Sequence, residues 1–320
     1  MREMKRIFLL TVLSLFFLDG CVIINLPSLQ PLREKVVGGK GADKVLLIDV
    51  SGLITDDDAT NILGVETRPN ITARIKEELT LASDDDGVKA VVLRINSPGG
   101  SVTTCDIISH EIANFKKKRK VPVVAELMDV AASGGYYIAA SADRIIAHPT
   151  TVTGSIGVIA YNLNASGLLE KIGVTNQTIK SGDKKDIGSP LRPMTEEERK
   201  ILQSVLNGMY DRFLQVILDG RKGLTREELV KIADGRIYNA AQALDLKLID
   251  SVGYLDDAIE TARESAGIKE ARIITYSPPR AYKNNIYSGP DAAPKGINII
   301  NIDPGFSKRF GMSFMYLWMD

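Results

Sequence analysis

The sequence predicts an α/β fold on a largely parallel sheet, with a long helix and a helical C-terminal part. Three observations carry this. Short runs rich in β-branched residues recur at about the length of one strand. Segments with apolar residues three and four apart lie between them. Beyond residue 185 the pattern turns helical. Strands alternating with helices imply βαβ units, whose crossovers set strands parallel and side by side.

In chain order, Val45–Val50 (VLLIDV) is the first strand. Asn70–Ala82 has helical spacing through Ile71, Ile75 and Leu79. Val88–Ile95 is a second strand, Ile107–Phe115 a helix, Val121–Leu127 a third strand, Ser133–Ala142 a short helix and Arg144–Ala147 a fourth strand. Thr195–Gly220 is a long helix with Ile201, Val205, Met209, Phe213 and Ile217 along one face. Thr195 followed by three glutamates supplies an N-cap and an acidic first turn. Thr225–Ala233 and Leu255–Ala266 are further helices. The expected organisation is an export signal (1–21), a tether (22–44) with Pro27, Pro31 and Gly38-Gly39, a main domain (45–275) and an extended tail (276–320). The tail ends in an apolar run, Phe314 to Trp318, expected to dock on its own or a neighbouring subunit.

Composition bounds the function. Lys+Arg and Asp+Glu both total 40, so formal net charge is zero. Binding to nucleic acid draws on a basic surplus, which is missing. Lys116–Lys120 is basic, but cations favour a helix C-terminus and a solvated helix end accounts for them. Two cysteines and two histidines cannot build a Cys/His zinc site without carboxylates, and no motif calls for a cofactor.

At the amino terminus, Arg2, Lys5 and Arg6 precede an uncharged, mostly apolar run from Ile7 to Leu18. Its length fits the core of a signal peptide better than a membrane span of about 20 residues. Leu18-Asp19-Gly20-Cys21 resembles a bacterial lipobox, in which the cysteine is lipidated and becomes the first residue. Asp19 departs from that pattern, so an uncleaved anchor and simple secretion remain as alternatives. Several acyl chains hold a membrane firmly where one does not.

Three segments carry residues suited to chemistry. Asn96-Ser97-Pro98-Gly99-Gly100 follows a strand. It is either a tight turn or an oxyanion hole, in which the N–H of Gly99 or Gly100 faces developing negative charge. Ala131-Ala132-Ser133-Gly134-Gly135 joins a strand to a helix. Ser133 there is either an N-cap or a nucleophile exposed by a sharp turn among small neighbours. Those neighbours predict shallow pockets for small or apolar side chains. Thr153-Gly154-Ser155-Ile156-Gly157 is followed by Ser181 to Asp186, which includes Lys184 and Lys185. A loop lysine is ordinarily solvated. Taken out of water, its neutral amine can accept a serine proton. His148 and His110 are the competing bases, and neither is well signposted.

The runs LRINSPGGSV, AASGGYYIAASADRIIAHPTTVTGSIGV, SGDKKDIGSP and GRIYNAAQAL occur in this order. Across residues 45–268 they resemble the signal peptide peptidase A family of Ser–Lys proteases, in its short form. The resemblance implies a Clp/crotonase-like superhelix of ββα units. It makes Ser133 the nucleophile and Lys185, rather than Lys184, the base. Ser155 would orient the lysine, with Gly100, then Gly99, as oxyanion donor. It also implies peptide substrates such as remnant signal peptides and unfolded segments, a ring-like homo-oligomer with shared pockets, and a place outside the cytoplasm, on the membrane of a bacterial envelope. One departure is Lys247, where the family often has glycine, at a position suited to positive φ. The readings weighed against this are an acyl-CoA enzyme of crotonase type, which export disfavours, and a silent membrane scaffold.

Overall fold

The run at 45–50 becomes a strand because both of its faces are covered. Val45, Leu46, Ile48 and Val50 are fully buried, as in a parallel strand with helices on either side. The computed structural model describes residues 31–57, 59–60, 66–68, 70–278, 285–286 and 313–318. The export signal with Cys21 lies outside the described residues.

The chain opens with β1 (Arg33–Gly39), β2 (Lys44–Ser51) and a short pair, β3 (Ala59–Thr60) and β4 (Glu66–Arg68). Then come α1 (Ile71–Asp84), β5 (Val88–Ser97), β6 (Gly99–Ser101), α2 (Val102–Arg119), β7 (Val123–Ala132) and α3 (Gly134–Ala139). They lead to β8 (Arg144–Ala147), β9 (Val152–Gly154), β10 (Ile159–Tyr161) and α4 (Ser166–Lys171). The C-terminal part holds α5 (Glu196–Gly220), α6 (Arg226–Ile232), β11 (Ile237–Asn239), α7 (Ala240–Asp245), β12 (Ser251–Val252), α8 (Leu255–Ser265), β13 (Arg272–Ser277) and β14 (Ser313–Leu317).

The main sheet runs β1-β13-β2-β5-β7-β8-β12, with β9 on the end of β7 and β11 on β9. Strands β13 to β12 along this path are parallel, as are β7 and β9. The sheet has apolar residues on both faces at a period of two. Leu46 and Ile48 join the layer with Ile75, Ile108, Ile112, Tyr136 and Phe213. Val45 and Leu47 join the opposite layer, under Leu255, Ala258, Ile259 and Ala262 of α8.

Two segments differ from expectation. Half of the expected tether is sheet: β1 pairs antiparallel with β13 and buries Val37. The Gly38-Gly39 pair is not a linker there; the register shifts between Val36 and Gly38, and Gly39 turns the chain at φ 66. The long helix has the expected capping box at Thr195 and Glu198, yet only its second half buries the apolar face. Phe213, Leu214 and Ile217 are fully buried, while Ile201 and Val205 are each 41% exposed. Lys247 takes φ 60 just after α7, the conformation for which glycine is favoured.

Candidate active site

The turn after β7 is built around Ser133. Its backbone sits at φ 52, ψ −114, a region that costs a non-glycine residue about 1–3 kcal/mol. Neighbouring hydrogen bonds fix it: Ser133 N–H donates to the Gly154 carbonyl at 2.8 Å, and Tyr137 N–H donates to the Ser133 carbonyl at 2.8 Å. The side chain makes no capping hydrogen bond to α3, so the N-cap reading fails. The residue is 1% exposed. Gly134 follows as the first residue of α3, where an amide has no partner within the helix. A Cβ on Gly134 would stand 2.5 Å from Cys105 Sγ and 3.1 Å from the Gly99 Cα. Only glycine lets these two turns touch.

The Ser-Pro-Gly-Gly turn is that neighbour. Ser97 Oγ donates to the Gly52 carbonyl at 2.6 Å and accepts from the Gly99 amide at 3.0 Å. The Gly99 N–H is therefore engaged, and Gly99 holds the turn at φ 105. Gly100 is left to face a ligand, in agreement with the preference for Gly100 over Gly99. Ser155 sits on the other side. Ala132 pairs with Gly154 across β7 and β9, which sets Ser155 beside Ser133. Ser155 has φ 49, and its amide donates to the Arg236 carbonyl at 2.8 Å.

A strand already lies across these turns. β14 enters between β6 and β10, antiparallel to both. Tyr316 stands opposite Gly100, and Trp318 N–H donates to the Pro98 carbonyl at 2.9 Å. The alternation of an antiparallel ladder then points the Gly100 N–H at the Tyr316 carbonyl. That oxygen would be 1.9 Å from a Cβ on Gly99 and 3.1 Å from one on Gly134. It occupies the hollow between the two glycine turns. The Tyr316 ring is fully buried, which corrects the expectation of shallow pockets. The walls come from Phe213 and Met209 of α5, remote in sequence from Ser133.

Lys185 lies apart. It is exposed on the loop between α4 and α5, and no hydrogen bond joins it to Ser133 among the described residues. Its neighbours are fixed instead. Asp186 accepts from Arg192 Nε at 2.8 Å and from Lys180 Nζ at 2.7 Å, and Arg192 Nη1 donates to Glu198 at 2.9 Å. These cations hold the Asp186 carboxyl well below the usual carboxylate range; Arg192 contributes most. Lys184 pairs with Glu197.

The sequence profile of peptidase family S49 matches residues 115–269. The chain is 39% identical to the "Putative signal peptide peptidase SppA" of Enterococcus faecium, over 81% of this chain and 74% of that protein. The chain belongs to peptidase family S49. This S49 peptidase is also 31% identical to the "Serine protease SPPA, chloroplastic" of Arabidopsis thaliana, over 82% of this chain and 38% of that one. With "Protease 4" of Haemophilus influenzae it shares 35% identity, over 69% of this chain and 35% of the relative. A Clp protease profile matches residues 48–153, and the S49 peptidase has the Clp/crotonase-like fold that the sequence resemblance implied. It is a serine peptidase.

Neither histidine serves Ser133 in the S49 peptidase. His148 Nδ1 bonds Thr150 Oγ1 at 2.9 Å, and its ring meets Tyr254 edge-on at 4.9 Å. His110 Nε2 bonds Asn114 at 2.8 Å. Among the described residues no group of three or more His, Cys, Asp or Glu side chains is disposed to hold a metal ion. No described helix is long and apolar enough to cross a membrane. Sequence reasoning missed the Gly134 amide, although its place one residue after Ser133 at a helix start is a readable signal. It also missed Tyr316 in the groove, which no local pattern announces.

Proposed function

We propose that this S49 peptidase is a membrane-associated endopeptidase that cleaves remnant signal peptides and other unfolded segments by acyl transfer on a Ser133–Lys185 dyad. The observation that carries the reading is the extended strand β14. It lies across Ser133 with a carbonyl between the Gly99 and Gly134 turns, as a substrate backbone would. Ser133 Oγ attacks the carbonyl while the neutral amine of Lys185 takes its proton. The Gly100 and Gly134 amides receive the oxyanion; one such donor contributes about 2.7–4 kcal/mol in comparable enzymes. The lysine then protonates the leaving amine, and water releases the acyl group. The Ser155 hydroxyl orients the amine. The chemistry calls for no cofactor.

Assembly supplies what a single chain lacks. Lys185 is exposed, and around it Leu163, Leu168, Ile172 and Ile179 are 64–99% exposed. Apolar surface of this kind marks an interface. We infer a homo-oligomer in which Lys185 of one copy reaches Ser133 of the next and loses its water there. A lipid on Cys21 tethers the assembly outside the cytoplasm of a bacterial cell.

The test is peptide hydrolysis by the full chain. Ser133→Ala and Lys185→Ala are each expected to remove at least about 1000-fold of kcat, with unchanged thermal melts. Full activity in Lys185→Ala would discard the proposed base. In the same series Cys21→Ser is expected to move the peptidase out of the membrane fraction; unchanged fractionation would discard the lipid tether.

A further inference from the structure

Read as a bound peptide, β14 reports what the groove prefers. Its Tyr316 carbonyl lies beside Gly99 and Gly134, so Tyr316 stands where the residue giving the scissile carbonyl belongs. The ring is enclosed by aromatic neighbours: Tyr137 stacks on it at 4.9 Å and 24°, and Phe213 closes at 4.7 Å and 52°. Tyr137 is itself held, since its hydroxyl donates to Asp106, which also accepts from Arg212 Nε at 3.0 Å. At the far end the Tyr316 hydroxyl donates to the Met209 carbonyl of α5 at 2.8 Å. A pocket shaped only for apolar side chains would leave a phenol without an acceptor, and such a group is costly to bury. Here a backbone oxygen meets it.

We propose that the pocket formed by Tyr137, Phe213 and the Met209 carbonyl selects substrates with tyrosine on the acyl side of the scissile bond. The proposal rests on the serine-peptidase mechanism above and adds a specificity to it. Aromatic burial separates tyrosine and phenylalanine from alanine. The hydrogen bond to Met209 separates tyrosine from phenylalanine. Phenylalanine keeps the stacking and loses only that bond, so the second discrimination is the smaller.

The test uses the full chain and extended peptides that differ only at one position, carrying tyrosine, phenylalanine, leucine or alanine. Cleavage sites are read by mass spectrometry and kcat/KM by competition between peptides. The chain's own β14 competes equally with every peptide and cancels in the ratios. The expected order is tyrosine over phenylalanine by roughly 5-fold, and tyrosine over alanine by roughly 30-fold or more. Phenylalanine cut as well as tyrosine, or alanine within about 3-fold of it, overturns the selectivity while the peptidase reading stands. If no peptide is cut faster than by Ser133→Ala, the peptidase mechanism fails and the selectivity with it.

Discussion

Ser133 and Ser155 are two of the four non-glycine residues with positive φ among the described residues; the others are Lys120 and Lys247. The lysines sit just past helix ends, where left-handed residues are common. The serines have no such reason, and their strain falls where the chemistry is proposed. Glu126 is a different kind of residue. It lies in the middle of β7, fully buried, and neither carboxylate oxygen has a hydrogen-bond partner among the described residues. Burial, with some help from Asp257, pushes its carboxyl from 4.5 up to about 9. At neutral pH it is protonated in the fold and ionised in the unfolded chain. Between those two values the folded state holds one more proton, so stability falls as pH rises, by at most about 1.4 kcal/mol per unit. Glu126→Leu is expected to raise Tm, with a gain that widens from pH 5 to pH 9. A gain that stays flat across that range would mean the carboxyl is not neutral in the fold.

Among the elements, the loop before α5 is held mainly by one side chain. Arg192 grips Asp186 through Nε and Nη2 and reaches Glu198, which also caps Thr195 N–H at 2.9 Å. The planar fork of arginine suits this bidentate grip, and an ammonium does not reproduce it. Arg192→Lys is expected to lower kcat about 10-fold or more while Tm moves only a few degrees, because the loop is largely exposed. An unchanged kcat would show that Lys185 is aimed by something else. The capping boxes at Thr195 and Thr225 were legible in sequence, since they are local: a hydroxyl and a glutamate three residues apart. So were the β-branched strands of the main sheet. Strands β6, β9 and β10 were not. Each is three residues long, and Gly99 and Gly100 pair through backbone alone, so no periodicity reveals them.

For the molecule as a whole, Ser133 was legible from its strand–turn–helix setting, and Lys185 only from family resemblance. Its proposed role depends on a neighbouring copy, and one chain's residue pattern does not encode that geometry. The proposal has a direct consequence for mixtures. Ser133→Ala and Lys185→Ala chains, each inactive, are expected to regain up to about a quarter of wild-type activity when assembled together at equal amounts, since one junction in four then pairs an intact serine with an intact lysine. No recovery in co-assembled rings would mean that each chain completes its own dyad. The strand in the groove bears on all such measurements. A ligand joined covalently to its site has a local concentration set by the tether, on the order of millimolar for a short flexible one. Dilution cannot lower it. An incoming peptide therefore meets a site whose apparent KM contains a fixed contribution from β14, and segments long enough to pair along β6 and β10 at once are the ones equipped to displace it.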